Sequence, residues 1–138
     1  MIIDAENLIL GRMATVIAKQ ALQGEKIDVI NVEKAVVTGK REEILARYNQ
    51  KFDRGHAKDG PFFPRHPEKI VKRSIRGMIP YKQGKGKEAF KNIKCYIGIP
   101  KELEGKKAET IEKANVKNIK KTKHLTIKEI SQQLGWRE

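Results

Sequence analysis

The chain has 138 residues, with 30 Lys and Arg against 17 Asp and Glu, which gives a net charge of +13. This length fits one domain spanning residues 1–138, and no stretch approaches the roughly 20 apolar residues of a membrane-spanning helix. The opening residues lack the pattern of a secretory signal, and the single cysteine, Cys95, excludes an internal disulfide. We therefore expect a basic intracellular domain whose partner is a polyanion.

The positive charge is concentrated in the middle of the chain. Residues 1–40 are neutral overall, residues 41–94 carry a net charge of +9, and residues 95–138 carry +4. A neutral start followed by a basic part rich in Gly and Pro suggests a scaffold that carries a binding surface. An ordinary solvated surface is the alternative, but solubility alone does not require so concentrated a bias of one sign.

The first forty residues predict a strand, a helix and a second strand. The strands are expected at 1–5 and 27–32, and the helix at 11–22 with a left-handed stop at Gly24. The second strand is apolar at nearly every position, as in a parallel sheet with helices on both faces. This order predicts an α/β domain with a right-handed crossover, and residues 35–38 either extend the second strand or follow it.

The segment from 38 to 66 predicts a helix followed by a loop. Thr38 is a candidate N-cap for a helix over 39–48. Residues 52–66 contain two Gly and two Pro with little periodicity, which predicts a long loop. Loops of this length in compact domains are usually functional or flexible.

The most informative predicted helix covers residues 67–78. Pro67 suits its first position, and Gly77 suits its end. At about 100° per residue, its apolar and basic residues fall on opposite faces. The apolar face holds Val71, Ile75 and Met78, and the basic face holds Lys69, Lys72, Arg73 and Arg76.

The remaining elements are shorter. A loop rich in Gly and Lys leads to a short helix at 87–91, a strand follows at 94–99, and residues 101–123 form an extended or partly ordered Lys/Glu-rich connection. Thr126 and Glu129 match a capping box that opens a helix ending near Leu134.

The residue patterns contain no recognisable catalytic centre. The GKGKEA and VVTGK segments place Lys beside Gly, but neither completes the spacing of a nucleotide-binding P-loop. His56, His66 and His124 share no ligand spacing with carboxylates, and Cys95 lies in an apolar strand where a thiol usually packs. We expect no enzyme activity, metal, cofactor or small-molecule substrate; a phosphate-substrate enzyme using the two Gly/Lys segments is the rival hypothesis.

Nucleic acid is the partner that the pattern favours. Cations on one helix face, flanked by basic Gly-rich loops, can follow a phosphate backbone. Phe62 and Phe63 lie in the basic loop, where they either stack on unpaired bases or fold back as anchors. No RNA-recognition, KH or zinc-finger signature is present, so the residues favour binding to shape and backbone.

Four separated motifs, in order, resemble the large-subunit ribosomal protein L-thirteen family. They are LGRMAT with AK at 10–19, VINVEK with TGK at 29–40, RSIRGMIP at 73–80 and YIGIP at 96–100. The PRHP segment at 64–67 and the short start resemble archaeal or eukaryotic members. Residues 1–100 carry the motifs, while 101–138 depart most from them.

The resemblance implies a three-layer α/β/α fold around a mainly parallel four-stranded sheet, with basic loops and a C-terminal helix. It implies a non-enzymatic, cytoplasmic constituent of the large ribosomal subunit that binds large-subunit rRNA beside neighbouring ribosomal proteins and supports early assembly. A free-standing DNA- or RNA-binding protein is the second alternative.

Two groups of residues are candidates for this role. Gly11, Gly39, Gly77 and Pro80 are expected to shape the backbone. The expected rRNA contacts are Arg12, Lys40, Arg41, Arg47, Lys51, Arg54, Lys58, Arg65, Lys69, Lys72, Arg73, Arg76, Lys82, Lys85 and Lys87.

Overall fold

The computed structural model describes residues 1–56, 58–118 and 123–137. The helices are α1 (Leu10–Leu22), α2 (Arg41–Asp53), α3 (Pro67–Arg76), α4 (Gly84–Lys91) and α5 (Ile127–Gln133). The strands are β1 (Ile2–Asp4), β2 (Ile27–Ile30), β3 (Val36–Thr38), β4 (Ile93–Cys95) and β5 (His124–Thr126). No helix among these residues is long and apolar enough to cross a bilayer.

The strands form two small sheets. The first is parallel, with β2 between β1 and β4, and the second is an antiparallel pair of β3 and β5. The mainly parallel α/β architecture is confirmed, but the expected four-stranded sheet is not, because the described residues form one sheet of three strands and one of two. The strand at 35–38 follows β2 as a separate element and does not extend it.

A left-handed residue at the end of β2 turns the chain away from the parallel sheet. Asn31 has a φ of 55°, and its side-chain amide donates a hydrogen bond to the Asp4 carboxylate over 3.1 Å. The Glu33 carboxylate then accepts the Gly98 N–H over 3.0 Å. These contacts hold a short turn after β2, so β3 leaves the first sheet and pairs with β5.

Helices α1, α3 and α4 pack together on one face of the parallel sheet. Ile3 and Val29 lie in one register row on that face and are almost fully buried. The adjacent row, in which Asp28 pairs with Lys94, points to the other face. There Asp28 is half-buried and Lys94 is exposed, so the described structure does not show the expected second helical layer over this row.

The helices at the two ends of the chain follow their sequence signals. The stop after α1 is confirmed, because Gly24 has a φ of 96°. The capping box of α5 is also confirmed, since the Glu129 N–H donates to the Thr126 hydroxyl and the Glu129 carboxylate accepts the Thr126 N–H. A buried cluster contributed by the helices and the parallel sheet forms the main core.

The middle of the chain departs from expectation at three element ends. The proposed Thr38 cap is wrong, because Thr38 lies in β3 and α2 starts after Lys40 without a side-chain cap. Helix α3 ends at Arg76, so Met78 lies beyond it and is 44% exposed, not in the core. Helix α4 starts at Gly84, so the expected Gly/Lys loop is its first turn.

Candidate nucleic-acid interface

Helix α3 separates apolar from cationic side chains as the sequence predicts. Ile70, Val71 and Ile75 are buried in the core. On the outer side, Lys69 is exposed, and the other three cations are half-buried. The four cations line one shallow groove together with Pro64 and Phe90. We call Lys69, Lys72, Arg73 and Arg76 the α3 basic face.

Aromatic rings hold two cations of the α3 basic face without removing their charge. The Lys72 Nζ lies 4.7 Å from the centre of the Phe90 ring. The Arg76 guanidinium carbon lies 4.6 Å from the centre of the Tyr81 ring. Cation–π contacts of this kind orient a cation but leave its hydrogen-bond donors available. The buried Nε of Arg76 has no hydrogen-bond partner within the described part of the chain.

The positive charge of the α3 basic face is uncompensated. Within residues 1–56, 58–118 and 123–137, no carboxylate lies within 4.0 Å of any of its four cations. Burial lowers the pKa of Arg73 from its usual value, and the positive charge of Arg76 lowers it further. An anion placed in the groove would therefore relieve repulsion between neighbouring guanidinium groups.

A second group of cations lies over aromatic rings at the end of α2 and in the following loop. The Lys51 Nζ lies 5.2 Å from the Tyr48 ring centre and 5.9 Å from that of Phe63. The Arg65 guanidinium carbon lies 4.9 Å from the Phe52 ring centre. These two cations do not line the α3 groove.

The two neighbouring phenylalanines of the loop have different surroundings. Phe63 is half-buried against the core, and its ring is 5.9 Å from that of Tyr48. It is therefore a loop anchor. Phe62 is 65% exposed, which leaves its ring open to stacking.

The other predicted contact residues are distributed over the surface. Arg12 projects from α1, and its Nη1 donates to the Lys113 carbonyl over 3.4 Å. Arg47 lines a separate hollow with Thr38 and Ser74. The remaining predicted cations are exposed and line neither of these hollows: Lys40, Arg41, Arg54, Lys58, Lys82, Lys85 and Lys87.

The predicted shape residues have unequal backbone roles. Gly39 has a φ of 131°, which favours glycine, whereas a Cβ at Gly11 would meet no atom within 4 Å. Gly77 has a right-handed helical φ of −63°. Gly86 is not among the predicted shape residues, yet a Cβ at this position would overlap the Pro80 carbonyl. No sequence signal distinguishes Gly86 from Gly84, because the requirement comes from a segment that packs against it.

The structure provides no sign of nucleophilic chemistry in the described residues. Burial raises the pKa of the Cys95 thiol to about 12, while nearby Lys72 lowers it and Glu68 raises it. The thiol therefore stays protonated at neutral pH, which disfavours attack. No group of three or more His, Cys, Asp or Glu side chains suited to a metal ion occurs in the described parts of the chain.

Comparison with known proteins agrees with this arrangement. The family model described as "Ribosomal protein L13" matches residues 1–102. Proteins named "Large ribosomal subunit protein uL13" from Archaeoglobus fulgidus and Methanopyrus kandleri are 47% and 44% identical, covering 99% and 98% of this chain and 88% and 86% of their own lengths. The Haloarcula marismortui protein of that name is 40% identical, over 98% of this chain and 90% of its own. The chain therefore belongs to the Ribosomal protein L13 family.

Proposed function

We propose that this chain is a structural, non-enzymatic constituent of the large ribosomal subunit, and that it binds large-subunit rRNA in the cytoplasm. Its family and the printed names of its archaeal relatives support the ribosomal role. The observation that carries RNA binding is the α3 basic face, where four cations converge without a carboxylate partner in the described structure. We further propose that binding supports early assembly of the subunit.

Phosphate groups are the ligands that best suit the α3 basic face. Arg73 and Arg76 present guanidinium groups that can hold phosphate oxygens in pairs, and Lys69 adds an exposed point charge. Each phosphate neutralised releases counterions and contributes about −0.7 to −0.9 to the slope of log K against log salt. The face therefore favours backbone binding, while the exposed Phe62 ring adds one position suited to base stacking.

The proposed role in assembly depends on cations that the folded core holds at fixed positions. Residues Ile70, Val71 and Ile75 anchor α3 to the core, so its outer cations keep a defined spacing. A rigid cationic surface lowers the repulsion between RNA segments that must approach each other. Exposed Ile97 and Ile99 add an apolar surface suited to a neighbouring ribosomal protein.

Sedimentation tests the function directly. A cell lysate is separated on a magnesium-containing gradient at moderate and then high salt, and the chain is detected in each fraction. Stoichiometric co-migration with large subunits after the salt wash supports an integral component. Residence in light fractions refutes the ribosomal role and favours a free-standing nucleic-acid-binding protein.

A charge-reversal variant tests the position of the interface. The four residues of the α3 basic face are changed to Glu, and the control carries Glu at four exposed lysines outside it: Lys101, Lys106, Lys107 and Lys113. Both variants have the same net charge and are expected to stay folded, because the changed side chains lie outside the main core. The α3 variant should fail to enter large subunits. For rRNA binding, the slope of log K against log salt should become shallower by about 3. Equal loss in the control would refute this placement.

A further inference from the structure

A second cationic hollow lies at the edge of the parallel sheet where the strands begin. Lys26 immediately precedes β2, and Lys91 ends α4 just before β4. Parallel strands begin at the same edge of a sheet, so the fold brings these two residues together. Lys94 lies one position inside β4 and completes a hollow of about 240 Å³. None of these three lysines is among the rRNA contacts expected from the sequence.

Part of the hollow lies on the sheet face that points away from the α3 basic face. Lys94 pairs in register with Asp28, and both side chains belong to the row that points away from α1, α3 and α4. The α3 basic face belongs to the helical layer on the opposite side. The two hollows share no lining residue, although Lys91 of this hollow and Phe90 of the α3 groove are neighbours in α4.

The charge balance of the hollow favours an anion. Lys26, Lys91 and Lys94 face one carboxylate, that of Asp28, and no ion pair within 4.0 Å joins that carboxylate to any of the three. The side-chain amide of Asn92 also lines the hollow and supplies neutral N–H donors. All three lysines are exposed, so each charge is hydrated and contributes as part of a polyelectrolyte contact.

We infer that Lys26, Lys91 and Lys94 form a second site for the phosphate backbone of large-subunit rRNA, at the edge of the parallel sheet where the strands begin. This inference rests on the proposed function. A folded domain with two separate cationic hollows holds RNA at two positions whose separation is fixed. The hollow adds a second point of attachment for RNA and so extends the proposed role in assembly.

The test measures binding of the full chain to an in vitro transcript of archaeal large-subunit rRNA over a range of salt concentrations. Changing all three lysines to Gln should make the slope of log K against log salt shallower by about 2, because each phosphate contact contributes about 0.7 to 0.9 to its magnitude. The matched control changes Lys101, Lys106 and Lys107 to Gln, three exposed lysines outside both surfaces. If the triple variant does not fold, the double variant Lys26→Gln, Lys91→Gln replaces it, because it leaves β4 unchanged. The double variant should make the slope shallower by about 1.5.

A change of opposite sign makes the test sharper. Asp28→Asn removes the carboxylate that lines the hollow and should tighten binding, whereas Glu104→Gln on the exposed 101–107 segment should tighten it less. A triple variant whose slope equals that of the wild type or of the lysine control overturns the second site. If the wild type itself shows no preference for large-subunit over small-subunit rRNA, the proposed function fails as well. Failure of the second site alone leaves that preference in place, so the two results can be told apart.

Discussion

Replacing Gly86 with Ala should destabilise the fold, whereas the same change at Gly84 should not. Both glycines lie in the first turn of α4. A Cβ at Gly86 would overlap the Pro80 carbonyl and lie 2.9 Å from the Tyr81 nitrogen, whereas a Cβ at Gly84 would meet no atom within 4 Å. Backbone atoms cannot rotate away as a flexible side chain does, so either α4 or the segment at Pro80 must move.

The magnitude follows from two opposing effects. Overpacking of this kind costs about 3 kcal/mol, and the higher helix propensity of Ala returns up to about 1 kcal/mol. Gly86→Ala should therefore lower the free energy of unfolding by about 2 kcal/mol. Gly84→Ala should leave it unchanged or raise it by less than about 1 kcal/mol.

Urea denaturation followed by circular dichroism measures both variants against the wild type. The midpoint should fall for Gly86→Ala at an unchanged slope, because only the native state is strained. If the free energies of unfolding of the two variants agree within about 0.5 kcal/mol, α4 does not approach Pro80 as closely as in the structure.

Two further predictions concern α5 and the partly buried thiol of Cys95. Thr126→Ala removes the hydroxyl that accepts the Glu129 N–H over 3.2 Å and should lower the free energy of unfolding by about 1 kcal/mol; the exposed Thr110→Ala should have no effect in the same urea titration, and equal effects would exclude the cap as the cause. The second concerns Cys95, whose pKa is raised from 9.0 to about 12 by burial, so its thiolate is favoured in the unfolded chain. The protonated thiol therefore makes its full contribution to the free energy of unfolding below pH 9, and this contribution is lost as pH rises toward 12. At pH 8, labelling by a disulfide reagent should be about 1000-fold slower in the folded chain than in urea. Similar rates in the two states would contradict protection of the thiol by the core.

Local signals predicted the helices better than the sheets. Pro67 at the start of α3, Gly24 after α1 and the Thr126 capping box all act within a few residues of the chain, so the sequence displays them directly. Sheet membership depends on distant partners. The pairing of β3 with β5 joins residues almost ninety positions apart, and the left-handed turn at Asn31 that redirects β3 is held by a hydrogen bond to the distant Asp4.

The candidate site was predictable to the extent that it lies on one helix. The α3 basic face follows from the spacing of its cations at 69, 72, 73 and 76, because helical periodicity alone places them together. Lys26, Lys91 and Lys94 are brought together only by the parallel pairing of β2 with β4. Phe62 and Phe63 are adjacent in sequence, and only packing against Tyr48 separates the anchor from the exposed ring.

The same charges that suit this fold to a polyanion act against its stability when it is free. Arg73 and Arg76 are close enough for the charge of one to lower the pKa of the other, and no carboxylate in the described residues relieves them. With a net charge of +13, this repulsion disfavours the compact state. A bound polyanion removes the repulsion and stabilises the folded chain by mass action, because it binds the folded surface in preference to the dispersed chain. Electrostatic strain in the free protein and affinity for RNA are therefore two consequences of one arrangement, in which the folded core positions Arg73 and Arg76 without a carboxylate partner among the described residues.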